Sequence, residues 1–161
     1  MKSFLKYWLP LLIWLGVIFV GSTNVTSAEH TSRYIGPFLL WVKPGISPMT
    51  IWTIVILARK CAHVSEYAVL ALLLWRALRS VPALRTKTFI VFCAVLVGCA
   101  VVAAGDEFHQ TFVKSRSPSV RDALLDVAGA LVGLFIGANV ARRHSDRFRA
   151  TSHSEFVDAQ L

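Results

Sequence analysis

Apolar residues in this chain fall into long unbroken runs, unlike the alternation of a half-buried strand or the single stripe of a surface helix. The first run, Leu5 to Val20, follows Lys2 and Lys6 and places Tyr7 and Trp8 at the depth of a membrane interface. Thr88 to Ala104 carries no charge, and Ala123 to Val140 carries only Asp126. Tyr67 to Trp75 is too short to cross alone, because a span needs roughly 20 residues. Counting back from Arg76 and Arg79, that helix reaches about Arg59 and takes in His63 and Glu66. Ile51 to Ala58 then extends it outward or packs at the surface, since a register that sinks Arg59 deeper costs more. The pattern predicts an all-α integral membrane bundle of four transmembrane helices over residues 1–141, with a polar cluster at its extracytoplasmic end. Thr26-Ser27-Ala28 resembles the small-residue cleavage site of a secretory signal, but the long first run and the later spans favour an uncleaved first helix.

Composition sharpens this picture. Hydrophobic residues make up 55% and charged residues 16%, against about 25% charged in globular domains. The mean hydropathy is +0.59. The net charge of +8 sits in short clusters between apolar runs, where membrane-flanking charges belong, so nucleic acid is not the expected partner. Lys2, Lys6, Arg76, Arg79, Arg85, Lys87 and the arginines of the tail all fall on one side of a four-span topology. By the positive-inside rule that side is cytoplasmic, and both termini with it. Residues 142–161 read as a polar, basic, poorly ordered cytoplasmic tail. The apolar centre Phe38 to Val42 of the first outer loop reads as a short surface-lying segment. Cys61, Cys93 and Cys99 have no metal-ligand spacing and read as packing residues.

The candidate chemistry gathers at one level. Arg59, His63 and Glu66 recur at intervals of four and three, and so share one helix face. With the third helix ending at Gly105, Asp106, His109 and Gln110 stand at its outer mouth; if the helix continues a turn, those three share a face and Glu107 lies to one side. The fourth helix starts near Arg121 and Asp122, with Asp126 about 6 Å deeper. Gly129, Gly133 and Gly137 continue that stripe at the small-xxx-small spacing that admits a close neighbouring backbone. The outer connection also holds Lys114, Arg116 and Arg121, a departure from the positive-inside rule for which anion binding is one explanation. Intramembrane ionisable groups are costly and usually functional. Structural ion pairing that holds the helices in register is the competing reading.

Two blocks, "RKCAHVSEYAVLALLLWRAL" and "GDEFHQTFVKSRSPSVRDALLDVAGALVG", resemble the VanZ-like family of small bacterial membrane proteins. The matching positions are Lys60, His63, Glu66, Tyr67, Leu70, Asp106, Glu107, His109, Gln110, Phe112, Arg116, Ser119, Asp122, Asp126, Gly129 and Gly133, and the match spans roughly residues 8 to 140. The family usually carries a serine-containing motif after its first helix. "GSTN" is an approximate counterpart, and Ser22 and Asn24 receive no role here. The resemblance implies a multi-pass protein of the bacterial cytoplasmic membrane, linked by its family name to resistance to the glycopeptide teicoplanin.

Three function classes follow. In the first, an enzyme acts at the outer face on a lipid-linked or phosphorylated envelope substrate. His63, Glu66, Asp106, Glu107, His109, Asp122 and Asp126 would supply acid/base groups. Arg59, Lys60, Gln110, Arg116 and Arg121 would bind the anion. A divalent metal is a candidate cofactor because carboxylates and imidazoles abound, although no compact ligand motif is present. In the second, a non-catalytic accessory protein binds an envelope component or membrane lipid. The third, a small transporter, lacks relay groups in the inner halves of the helices and shows no inverted repeat.

Overall fold

The computed structural model describes residues 2–23, 28–112 and 119–158, with side chains described over 4–23, 31–112 and 119–140. Five helices follow one another: α1 (Lys2–Gly21), α2 (Ala28–Val42), α3 (Pro48–Arg79), α4 (Thr88–Gln110) and α5 (Val120–Asp158). A short 3₁₀ turn, Pro82–Leu84, joins α3 to α4. There is no strand among the described residues. Four segments are long and apolar enough to span a membrane: Phe4–Gly21, Pro48–Arg79, Thr88–Gln110 and Val120–Val140.

The helices form where local chemistry allows and stop where it does not. Ser47 caps α3 by accepting the Thr50 N–H at 3.1 Å, and Pro48 occupies the first turn, where a missing N–H costs nothing. Arg76 and Arg79 close the last turn before Pro82. α3 therefore begins at Pro48, and of the two outcomes expected for Ile51 to Ala58 they extend the helix outward beyond Arg59, because nothing between Ser47 and Arg59 interrupts it. The third helix likewise runs through Gly105 to Gln110, since a single glycine weakens a helix by only about 1 kcal/mol. The tail expected to be poorly ordered continues α5 as helix to Asp158. It contains neither proline nor glycine after Gly137, so no breaker ends the helix at the membrane edge.

α3 is the central element and packs against all four others. Its Tyr67, Leu70, Ala71 and Ala77 meet Leu11 and Ile18 of α1, Val91, Val95, Cys99 and Ala103 of α4, and Ala130 and Leu134 of α5 in one buried core. The buried α4 stripe steps on through Asp106 to Gln110, so one helix face passes from apolar to polar as it nears its end. Large apolar side chains such as Phe89, Val97, Val101, Leu124, Phe135 and Ile136 point outward, as lipid contact requires.

Glycines set how closely α5 approaches α3. A Cβ on Gly129 would stand 2.5 Å from the Val64 carbonyl oxygen, and one on Gly133 would overlap the Ala68 backbone. At Gly137 the neighbour is a Leu72 methyl at 2.7 Å. The two helices run parallel with a constant offset at these three contacts, which lines up the residues one or two turns further out.

At the opposite end, basic groups fasten the bundle. Arg76 donates to the Lys6 carbonyl at 3.3 Å and stacks over Tyr7. Arg79 donates to the Thr88 hydroxyl at 3.2 Å and lies over Trp75.

Candidate functional site

The end of the bundle away from these arginines holds the polar groups, and the α3–α5 register decides how they pair. The imidazole Nδ1 of His63 lies 3.2 Å from Asp126 Oδ1, with the carboxylate side chain 1% exposed and the imidazole 21%. One turn outward, Lys60 Nζ meets Asp122 Oδ1 at 3.4 Å in a much more open setting. These two α3–α5 pairs continue the line of the glycine contacts. Among the described residues Asp126 Oδ2 is buried with no hydrogen-bond partner, and so is the hydroxyl of Tyr67, a fully buried residue one turn below His63. Asp106 lies within electrostatic reach of both His63 and Asp126.

α4 contributes a second set. Gln110 Nε2 donates to Asp106 Oδ2 at 2.9 Å, and both side chains are buried. This bond joins residues one turn apart, and it exists because α4 continues beyond Gly105. Glu107 Oε2 accepts the Ser119 N–H at 2.6 Å, so this carboxylate satisfies a backbone donor at the start of α5. His109 turns towards α1, with Nδ1 at 3.5 Å from the Ser22 hydroxyl and its ring 4.8 Å from that of Phe19.

An open pocket lies between α1, α2 and α3. Gly21 of α1, Thr31 of α2, and Ala58, Arg59, Ala62, His63 and Glu66 of α3 line it, and its cavity volume is about 190 Å³. The interval of four and three puts Arg59, His63 and Glu66 on the pocket side, while Asp126 stands behind His63. Trp14 steadies this wall by donating its indole N–H to the Glu66 carbonyl at 2.9 Å. A Cβ on Gly21 would sit 3.6 Å from Glu66 Oε1, so the small residue keeps the α1 side of the pocket open beside that carboxylate.

The polar layer is thus divided into distinct groups. Arg59, His63 and Glu66 share the pocket, with Asp126 as support. Asp122 and Lys60 pair with each other at the flank, so the lysine's charge is already engaged. Asp106 and Gln110 form their own buried pair. Glu107 caps a backbone, His109 meets Ser22, and Arg121 is exposed on the first turn of α5. Arg116 and Lys114 lie outside the described residues. No group of three or more His, Cys, Asp and Glu suited to a metal ion occurs among the described residues.

The chain alone points to no role for Ser22, Thr31 or the Tyr67 hydroxyl, and to nothing more specific than packing or interface anchoring for Trp14. The serine of "GSTN" was the one available signal, because a hydroxyl at the end of a span stands where the other polar groups gather. Trp14 and Thr31 carried none, since their roles depend on what α3 places opposite them.

A family model described as VanZ/LLP1 matches residues 7–141 of the chain. No curated protein and no solved structure matches it.

Proposed function

This chain belongs to the VanZ/LLP1 family, and from that premise we propose that it is an enzyme of the bacterial envelope. It works by acid/base chemistry on a lipid-linked or phosphorylated substrate at the outer face of the cytoplasmic membrane. The observation that carries the proposal is the His63–Asp126 pair at 3.2 Å, opening onto a pocket shared with Arg59 and Glu66. A buried carboxylate on one ring nitrogen orients an imidazole and leaves the other nitrogen to move a proton. The basic end of the bundle supports a cytoplasmic placement for both termini, and hence an outward-facing pocket.

In this reading Arg59 takes the anionic group of the substrate in its planar fork. His63 removes a proton from an incoming water, whose oxygen bonds to the ester's phosphorus or acyl carbon. The bond to the leaving oxygen then breaks, and His63 returns the proton to that oxygen. Glu66 stands beside the same space as a second acid/base group. Such proton transfer contributes about 10²–10⁴-fold in rate. Asp106, Glu107, His109 and Asp122, the other candidate acid/base groups, lie in the same polar layer and meet Gln110, the Ser119 backbone, Ser22 and Lys60 respectively.

The test uses purified protein, with co-purifying lipids identified by mass spectrometry and then offered back as substrate. His63→Ala should lower turnover by about 10²–10⁴-fold while still retaining the bound species. Full turnover by His63→Ala would end the catalytic reading. In cells, loss of the protein should change teicoplanin susceptibility, and His63→Ala should reproduce the loss.

One observation favours a second reading, a binding or accessory protein without turnover. Lys60–Asp122 and His63–Asp126 follow the line of the glycine seam, so both pairs also fix α3 against α5. On that account Asp122→Glu keeps full function and wild-type protein retains its ligand without converting it.

A further inference from the structure

We infer that the pocket takes the anionic headgroup of a bilayer lipid drawn in sideways from the outer leaflet, in preference to a water-soluble anion. This rests on the site proposed above and names its substrate class.

The inference comes from depth. α3 has 32 residues, about 48 Å at 1.5 Å per residue. That exceeds the roughly 30 Å hydrocarbon core and matches the roughly 40–45 Å bilayer with its headgroup regions. Measured from Arg79, which marks the basic interface, Glu66 lies about 20 Å up the helix and Arg59 about 30 Å. The pocket wall therefore runs from inside the hydrocarbon to its far boundary, the level of lipid phosphates.

The opposite wall is divided at that same level. α1 ends at Gly21, next to Glu66, and α2 starts at Ala28 and brings Thr31 to the pocket. α2 then runs outward along the first half of α3, and a Cβ on Gly36 would stand 3.9 Å from the Ile51 side chain. Two helices thus stand end to end against one long helix, and the pocket occupies their junction.

The surroundings are built for lipid. Phe19 and Val20 of α1 are exposed just below the junction, and Tyr34, Phe38, Trp41 and Trp52 are exposed above it. Exposed aromatic residues at this height form an interfacial belt. An anionic lipid beside this face would place its phosphate level with Arg59 and its chains along the last turns of α1. A soluble anion would have to cross the aromatic belt without that anchorage.

Labelling with photoreactive lipids in nanodiscs tests this directly. Photoreactive phosphatidylglycerol should label the wild-type protein at the α1–α2 junction. Labelling should fall about tenfold in Arg59→Gln, where a charge-assisted bond is lost, and in Gly21→Leu, which fills the opening. Photoreactive phosphatidylcholine should label this junction weakly, and millimolar glycerol phosphate should not compete. Equal labelling by the two lipids, labelling unchanged in both variants, or competition by glycerol phosphate overturns the inference. A retained melting temperature in Gly21→Leu shows that the variant is folded; if it is not, Gly21→Val and Arg59→Gln carry the same readout. Turnover is read separately. Selective labelling with no turnover leaves the lipid site standing and removes the enzyme, whereas turnover with competition by glycerol phosphate does the reverse.

Discussion

Asp126 illustrates how residue chemistry is bound to packing. One carboxylate oxygen faces His63 Nδ1 at 3.2 Å, and the other is buried without a partner among the described residues. Removing the imidazole leaves a buried acid unpaired, so a double-mutant cycle on His63→Ala and Asp126→Ala should show a coupling of about 1–3 kcal/mol, measured by thermal unfolding in detergent. Additive effects would mean that the pair contributes nothing to stability. The Tyr67 hydroxyl has no partner either. A buried hydroxyl left unbonded costs about 1–3 kcal/mol, so Tyr67→Phe should melt at the same temperature as wild type or higher. A lower melting temperature would reveal a hydrogen bond to an internal water, one linking this tyrosine to the Asp126 region.

The decisive contact between elements is the glycine seam of α5 on α3. A methyl group on Gly133 overlaps the Ala68 backbone, and backbone cannot move aside as a flexible side-chain tip can. Gly133→Ala should therefore cost about 1–3 kcal/mol. Because the seam sets the register of the pairs beyond it, His63→Ala should add less destabilisation in Gly133→Ala than in wild type. Gly105 is the internal comparison, since a Cβ there meets nothing within 4 Å. Gly105→Ala should stabilise α4 by up to about 1 kcal/mol, because alanine loses less backbone freedom on forming helix. Equal effects of the two substitutions on melting temperature would refute the close-packing account. The same comparison shows the limits of spacing. The period of four in Gly129, Gly133 and Gly137 was visible in the chain, whereas its partner helix was not.

For the molecule as a whole, topology links the site to its side of the membrane. With Cys61, Cys93 and Cys99 replaced, a cysteine at Lys43 should react with a membrane-impermeant maleimide added outside intact cells, and a cysteine at Arg85 should react only after the membrane is opened. The reverse pattern would put the pocket on the cytoplasmic side and remove an outer-leaflet substrate. Length and hydropathy were enough to locate the four spans, because crossing a bilayer is a requirement on each segment separately. The ends of the helices were less legible. α3 begins at Pro48, where Ser47 caps it, and takes in the apolar Ile51 to Ala58, while α4 continues past Gly105 into polar residues.

The same division runs through the candidate site. The chain alone determined that Arg59, His63 and Glu66 share a face, that Asp126 lies one turn inside Asp122, and that basic residues gather at one end. Each of these follows from residue order and the 3.6-residue turn of a helix. Only the tertiary structure decided that His63 meets Asp126, that Lys60 engages Asp122, that Glu107 serves the Ser119 backbone, and that Ser22 stands near His109. Such pairings depend on the offset and rotation of one helix against another. Contact surfaces such as the glycine seam set that offset, and they are shared by residues more than 60 positions apart in the sequence.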